Sequence, residues 1–151
     1  MNEVPDDPSI EISLANDLRE IAAAAAKIDA FCESHTLASQ IAYAVNLAID
    51  EILTNTISYG YDDEESHRIE LIVRLEGETL VVVIVDDSRA FDPSLARQPD
   101  LDASIEDGDL GGLGLYLVQQ MMDGVAYQRT EGCNVVTLTK NTAADEAPPP
   151  H

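Results

Sequence analysis

Glu51 and Asn55 stand four residues apart in the run Asp50-Glu51-Ile52-Leu53-Thr54-Asn55. On a helix that spacing stacks two side chains on one stripe, and here the stripe borders the apolar seam through Ala48 and Ile52 while Asp50 points to the far side. Two chemistries suit such a pair. An asparagine oxygen is a hard, neutral ligand for Mg2+, which takes a few protein oxygens together with waters and phosphates. A glutamate one turn away can accept the proton of a water or hydroxyl attacking a γ-phosphate. The same two residue types also form the solvated boundary of many buried helix faces, so the pair acquires meaning only with other segments.

Two such segments follow. The apolar run Leu80-Val81-Val82-Val83-Ile84-Val85 leads into DDSRAFDP at 86–93, a buried strand ending on carboxylates and able to deliver an acidic side chain to a pocket. Loops that let backbone approach a ligand usually contain glycine. This one carries Ser88 and Ala90 instead. Further on, Gly111-Gly112-Leu113-Gly114 opens a helix, where backbone amides at Gly112 and Gly114 can approach phosphate oxygens with the helix dipole assisting. Glycines also make plain loop-to-helix turns.

Taken in order, E-x-x-x-N, D-x-S-x-A-F-D-P, a long connection, G-G-x-G-L and M-D-G-V resemble the anti-sigma-factor serine kinases and related regulatory ATP-binding domains of the histidine-kinase-like (Bergerat-fold) ATPase superfamily. The resemblance runs from about residue 10 to about residue 140 and includes the ending G-C-N-V-V-T-L-T-K, which looks like the family's last strand. It implies ATP and Mg2+ as ligands, Asn55 as the metal ligand within the nucleotide site, and Glu51 as the catalytic base. It also implies that Asp86 accepts a hydrogen bond from the adenine amino group. Phe91-Asp92-Pro93 sets that register, leaving Asp87 as the neighbour. Gly112 and Gly114 match the phosphate-side glycines, and Ser88 and Ala90 stand in the nucleotide-binding loop where the family's box has glycines. A positive φ at Ser88 would cost roughly 1 kcal/mol or more. Leu110 occupies a place where kinases of this family can carry an arginine, and Arg89 and Arg97 are the cations nearest in sequence.

The resemblance therefore implies a protein serine/threonine kinase that acts on an anti-sigma-factor antagonist, with sequestration of a sigma factor and a homodimer as further candidates. A non-catalytic switch, dependent on ATP or independent of it, is the alternative that Leu110, Ser88 and Ala90 favour. A histidine-kinase catalytic domain would share the pocket, but the chain contains no dimerisation helix bearing a phosphoacceptor histidine.

The elements that must position these residues are legible from periodicity. Ile10 to Leu14 alternates as a short strand, Asp17 can cap a helix to Ser34 with a seam at Leu18, Ile21, Ala25, Ile28 and Cys32, and a second helix runs from Ala38 or Ser39 to Tyr59-Gly60. Its seam is Ile41, Val45, Ala48, Ile52 and Thr56, and Gly60 stands where a C-terminal cap is expected. Strands at 69–75 and 80–85, a third helix to Met122, and a hairpin about Glu131-Gly132 complete an α+β fold. The expected architecture is a two-layer sandwich, with helices on one face of a mixed, mainly antiparallel sheet. Residues 1–142 are expected to form a single ATPase-like domain, 90–110 a lid, and 143–151 a disordered tail.

With 8 Lys and Arg against 29 Asp and Glu, the formal charge is −21. That field argues against nucleic acid and anionic membranes as partners and obliges any phosphate site to be built locally. The start MNEVPDDPSIEIS has no targeting pattern, so a cytoplasmic protein is expected. Cys32 and Cys133 read as reduced structural thiols, and His35, His67 and His151 form no ligand set.

Overall fold

The computed structural model describes residues 7–93 and 110–143. Arg97, most of the expected lid and the tail from 144 onward lie outside the described residues. The elements in chain order are β1 (Ser9–Ala15), a 3-10 turn (Leu18–Glu20), α1 (Ile21–Ser34), α2 (Ser39–Tyr59), β2 (Arg68–Glu76), β3 (Thr79–Asp86), α3 (Leu110–Met121), β4 (Gly124–Thr130) and β5 (Cys133–Asn141).

The five strands lie in the order β1-β2-β3-β5-β4. All four pairings are antiparallel, so the mainly antiparallel sheet expected from the sequence contains no parallel pair among the described residues. Alternation assigns the faces. Ile12, Leu71, Ile84 and Val136 form one cross-strand row, with Leu14 and Ile69, and then Val73, Val82 and Leu138, in the rows beside it. These residues join Ile28 of α1, Ile41, Val45 and Leu53 of α2 and Val118 of α3 in a single apolar cluster. The helices therefore share one face of the sheet, the two-layer α+β arrangement.

Asp17 accepts from Arg19 N, but it caps the 3-10 turn and not an α-helix. That tighter turn breaks the helical phase ahead of Ile21. Leu18 consequently leaves the seam and stands 51% exposed, while Ala24 and Phe31 enter it beside Ile28 and Cys32. α2 buries Ile41, Val45, Ala48 and Ile52 of its expected seam and adds Ala44, Ile49 and Leu53, while Thr56 is only half-buried and lines a cavity at one end of the sheet. The final hairpin turns at Glu131 (φ 53°) and Gly132 (φ 82°), the pair of left-handed residues that matches the twist of a tight hairpin.

Candidate functional site

The row that continues the core at one end of the sheet is polar. Alternation along β3 puts Asp86 on the same face as Val82 and Ile84, and the register sets it opposite Asn134 of β5, which in turn faces Arg129 of β4. Asp86 and Asn134 are each only 3% exposed, as is Ser88 in the loop that follows. This is the helix-facing side of the sheet, and the groups beside it form a cavity of about 270 Å3. Ile52, Asn55, Thr56 and Gly60 line it from α2 and its cap, Asp86, Asn134 and Val136 from the sheet, and Ser88, Arg89, Phe91 and Pro93 from the loop. Tyr59, also in the lining, and Phe91 are large and exposed, offering aromatic surface at the mouth.

Asp86 Oδ1 accepts from Ser88 N (3.0 Å), Ser88 Oγ (2.5 Å) and Asn134 Nδ2 (3.0 Å). Oδ2 accepts no hydrogen bond among the described residues. Asp87 takes the opposite direction. Its Oδ2 lies 3.1 Å from His67 Nδ1, and the other ring nitrogen lies 2.9 Å from Asp63 Oδ1. His67 stacks on Tyr61 with ring centroids 4.4 Å apart. The hydrogen bonds to Asp63 and then Asp87 raise the imidazole pKa above its ordinary value. Burial, reinforced by the charges of Asp86 and Asp87, pushes the Tyr61 phenol up as well. His67, read from the sequence as an idle loop residue, ties that loop to the end of β3.

The loop without glycine closes by packing and hydrogen bonding. Neither Ser88 nor Ala90 has a positive φ, so no left-handed strain arises at either. Gly60 provides the room: its φ is −86°, and a Cβ there would stand 2.5 Å from Thr56 O and 2.6 Å from the Ser88 Cβ. Gly60 is the C-cap of α2 as expected, in a right-handed conformation, and its missing side chain serves close approach. Arg89 N donates to Gly60 O at 2.9 Å. Ala90 is exposed and does not line the cavity.

On α2, Asn55 Nδ2 donates to the backbone oxygen of Glu51 at 2.9 Å. That bond occupies the amide nitrogen, and the amide oxygen, with no hydrogen bond among the described residues, is the atom a hard cation would take. No group of three or more His, Cys, Asp or Glu side chains among the described residues could hold a metal alone. The single oxygen of Asn55 thus fits an ion whose remaining ligands come from phosphates and water. Glu51 does not line the cavity; its carboxylate packs on the bare face of Gly114, where a Cβ would collide with it. Burial, with the neighbouring charge of Asp50, raises the Glu51 pKa. Gly112 falls in the first turn of α3, whose backbone amides have no intrahelical acceptor, whereas Gly114 is one turn further in. The two glycines therefore differ: an amide at Gly112 is available to an anion, and Gly114 admits Glu51.

The site expected from the sequence divides accordingly. Asn55, Asp86 and Ser88 share the cavity, Glu51 and Gly114 touch each other on the α2–α3 contact, and Ala90 stands outside. The sequence reading missed Asn134, Tyr127 and Arg129. Asn134 lies within G-C-N-V-V, and only the strand register reveals that it faces Asp86.

A polar sheet end faces a helix pair, with a glycine-led third helix beside it, in a two-layer α+β domain. The histidine kinase-like ATPase domain model matches residues 14–140, and the chain belongs to that family. It is 32% identical to the serine/threonine-protein kinase BtrW of Bordetella bronchiseptica over 107 residues, covering 71% of this chain and 75% of that protein. It is 30% identical to the serine-protein kinase RsbW of Listeria monocytogenes over 100 residues, covering 64% of this chain and 63% of that relative. The crystal structure of the RsbU and RsbW domains of Rv1364c from Mycobacterium tuberculosis superposes with a TM-score of 0.60 at 15% identity, over 89% of this chain and 32% of that one. That last likeness concerns the fold. No described helix is long and apolar enough to cross a membrane.

Proposed function

We propose that this chain binds ATP with Mg2+, transfers its γ-phosphoryl group to a serine or threonine of a small antagonist protein of the anti-sigma-factor system, and sequesters a regulatory partner such as a sigma factor. The observation that carries this reading is the buried Asp86, with one oxygen saturated and the other without a partner among the described residues, at a cavity rimmed by Tyr59 and Phe91. An acceptor at the edge of a flat, aromatic-rimmed slot suits an amino-substituted ring. The volume is at the small end for a ligand site and suits the base alone, with phosphates lying beyond it towards Asn55 and α3.

Each residue then has one task. Asp86 accepts from the base, the amide oxygen of Asn55 holds the metal, and the free amides of the first turn of α3, Gly112 among them, receive phosphate oxygens. Mg2+, when bound, supplies charge neutralisation across the phosphates. Glu51 removes the proton of the attacking hydroxyl, and its raised pKa moves it towards the working pH of a general base. Arg89, exposed in the cavity wall, is the cation that the described lining offers to phosphate. Arg129 is committed to Ser88 O at 2.8 Å and Asn134 Oδ1 at 2.9 Å.

Incubation with γ-labelled ATP and candidate serine-bearing antagonists tests the reading. Label should pass to the partner with wild type, while Glu51→Gln should retain ATP and lose transfer. Tight ATP binding without transfer to any partner, together with intact partner binding by Glu51→Gln, would leave the non-catalytic switch as the function.

A further inference from the structure

Asn134 occupies the centre of a densely bonded polar cluster at the end of β3 and β5. Its orientation is unambiguous, because a guanidinium can only donate. Arg129 Nη1 (2.9 Å) and the Tyr127 hydroxyl (2.7 Å) both approach Oδ1, which fixes that atom as the amide oxygen. The amide nitrogen then faces Asp86 Oδ1 at 3.0 Å, Arg89 O at 2.9 Å and Ser88 Oγ at 3.1 Å. Two protons serve these acceptors. One side chain thus bonds the carboxylate at the strand end and the backbone of the loop beyond it.

The consequence concerns Asp86. A carboxylate is symmetric, and a free one would present either oxygen by rotating about its last bond. Here Oδ1 is held by three donors, one of them from Asn134, so the carboxylate cannot rotate freely, and Oδ2, without a hydrogen bond among the described residues, is the oxygen open to a donor in the cavity that Asp86 lines. We propose that Asn134 is a specificity-determining positioning residue: by fixing the Asp86 carboxylate and the glycine-free loop, it makes the cavity select a purine with an exocyclic amino group over one with an oxo group at that edge. An oxo group would put a second acceptor against Oδ2, and a buried acceptor pair with no proton between them is heavily penalised. With Asn134 truncated, the carboxylate and loop can turn, and the penalty relaxes. This inference rests on the nucleotide reading of the cavity.

The test is titration of the full chain with ATP and with GTP, Mg2+ present, for wild type, Asn134→Ala and Tyr127→Phe. Tyr127→Phe removes one hydroxyl from a partly buried ring and keeps the fold should Asn134→Ala not. Wild type should prefer ATP by at least about tenfold. Asn134→Ala should lose roughly ten- to a hundredfold in ATP affinity, the range for a hydrogen bond to a charged group, with a smaller loss for GTP, so that the preference shrinks. Tyr127→Phe should shift the preference in the same direction by a few-fold. A folded variant pair that keeps the wild-type ratio overturns the proposal, whether ATP and GTP are both unaffected or fall together as a merely structural role would require. Equal ATP and GTP affinity in wild type overturns it as well. A wild type that binds neither nucleotide removes the underlying reading too, an outcome distinct from the others.

Discussion

On the proposed function, Gly114→Ala is expected to separate catalysis from stability. Gly114 is buried within α3, and a Cβ there would run into the carboxylate of Glu51. Glycine in a helix interior costs about 1 kcal/mol relative to alanine, so the substitution gains that amount from the backbone. Against it stands displacement of Glu51, which is the flexible end of a half-buried side chain and can turn aside for less than overpacking a rigid core, about 1 kcal/mol or less. The melting temperature should therefore stay within about 2–4 °C of wild type. Phosphoryl transfer should respond far more strongly. A general base contributes roughly 10²–10⁴-fold, and moving one by an ångström can forfeit about 10². Single-turnover transfer from labelled ATP to the serine-bearing partner is the assay, alongside ATP titration and thermal melting. The double variant Gly114→Ala with Glu51→Gln should transfer no more slowly than Glu51→Gln alone, because both act through one carboxylate. Full transfer by Gly114→Ala, or an additional loss in the double variant, would refute the link between this contact and the chemistry.

Gly60→Ala should destabilise the protein by about 1–3 kcal/mol in urea unfolding, since the added methyl meets the Thr56 carbonyl and the Ser88 side chain; an unchanged midpoint would show that the loop yields. The bridge from Asp63 through His67 to Asp87 predicts a pH signature. A raised folded imidazole pKa means its contribution is fully present below the ordinary value near 6.5 and is lost as pH rises through the folded value. The gap in melting temperature between wild type and His67→Gln should accordingly narrow from pH 6 to pH 9, and a gap that widens would contradict the bridge. Cys32, whose thiol burial pushes to about 11, should resist alkylation at pH 8 until the protein unfolds.

Much of this architecture is readable before any coordinates. The alternation of Ile69, Leu71 and Val73 and the apolar run into Asp86 are strand signals, and the α2 seam from Ile41 to Ile52 needs only a period of 3.6. What escapes the sequence is cross-strand and cross-element information. Asn134 looks like any polar residue in a hairpin until register sets it against Asp86. Gly60 and Gly114 read as a cap and a phosphate glycine, and nothing in the sequence shows that Ser88 and Glu51, from other elements, crowd their Cβ positions. Leu18 fails for a local reason, a 3-10 turn that shifts the helical phase. Ser88 and Ala90 look like damage to a glycine loop, but both keep negative φ, and at Ser88 the hydrogen bonds to Asp86 and packing against Gly60 hold the backbone.

The cavity at the end of β3 is proposed to bind the adenine base through Asp86. The most direct measurement is calorimetric titration of ATP with Mg2+ into wild type, Asp86→Asn and Asp87→Asn. Asp86 lines the cavity, while Asp87 faces His67 on the other side of the strand end. Wild type should bind one ATP, Asp86→Asn should weaken binding by about ten- to a hundredfold, the loss of one charge-assisted hydrogen bond, and Asp87→Asn should leave it unchanged. Equal losses from the two substitutions, or no saturable binding by wild type, would contradict the account.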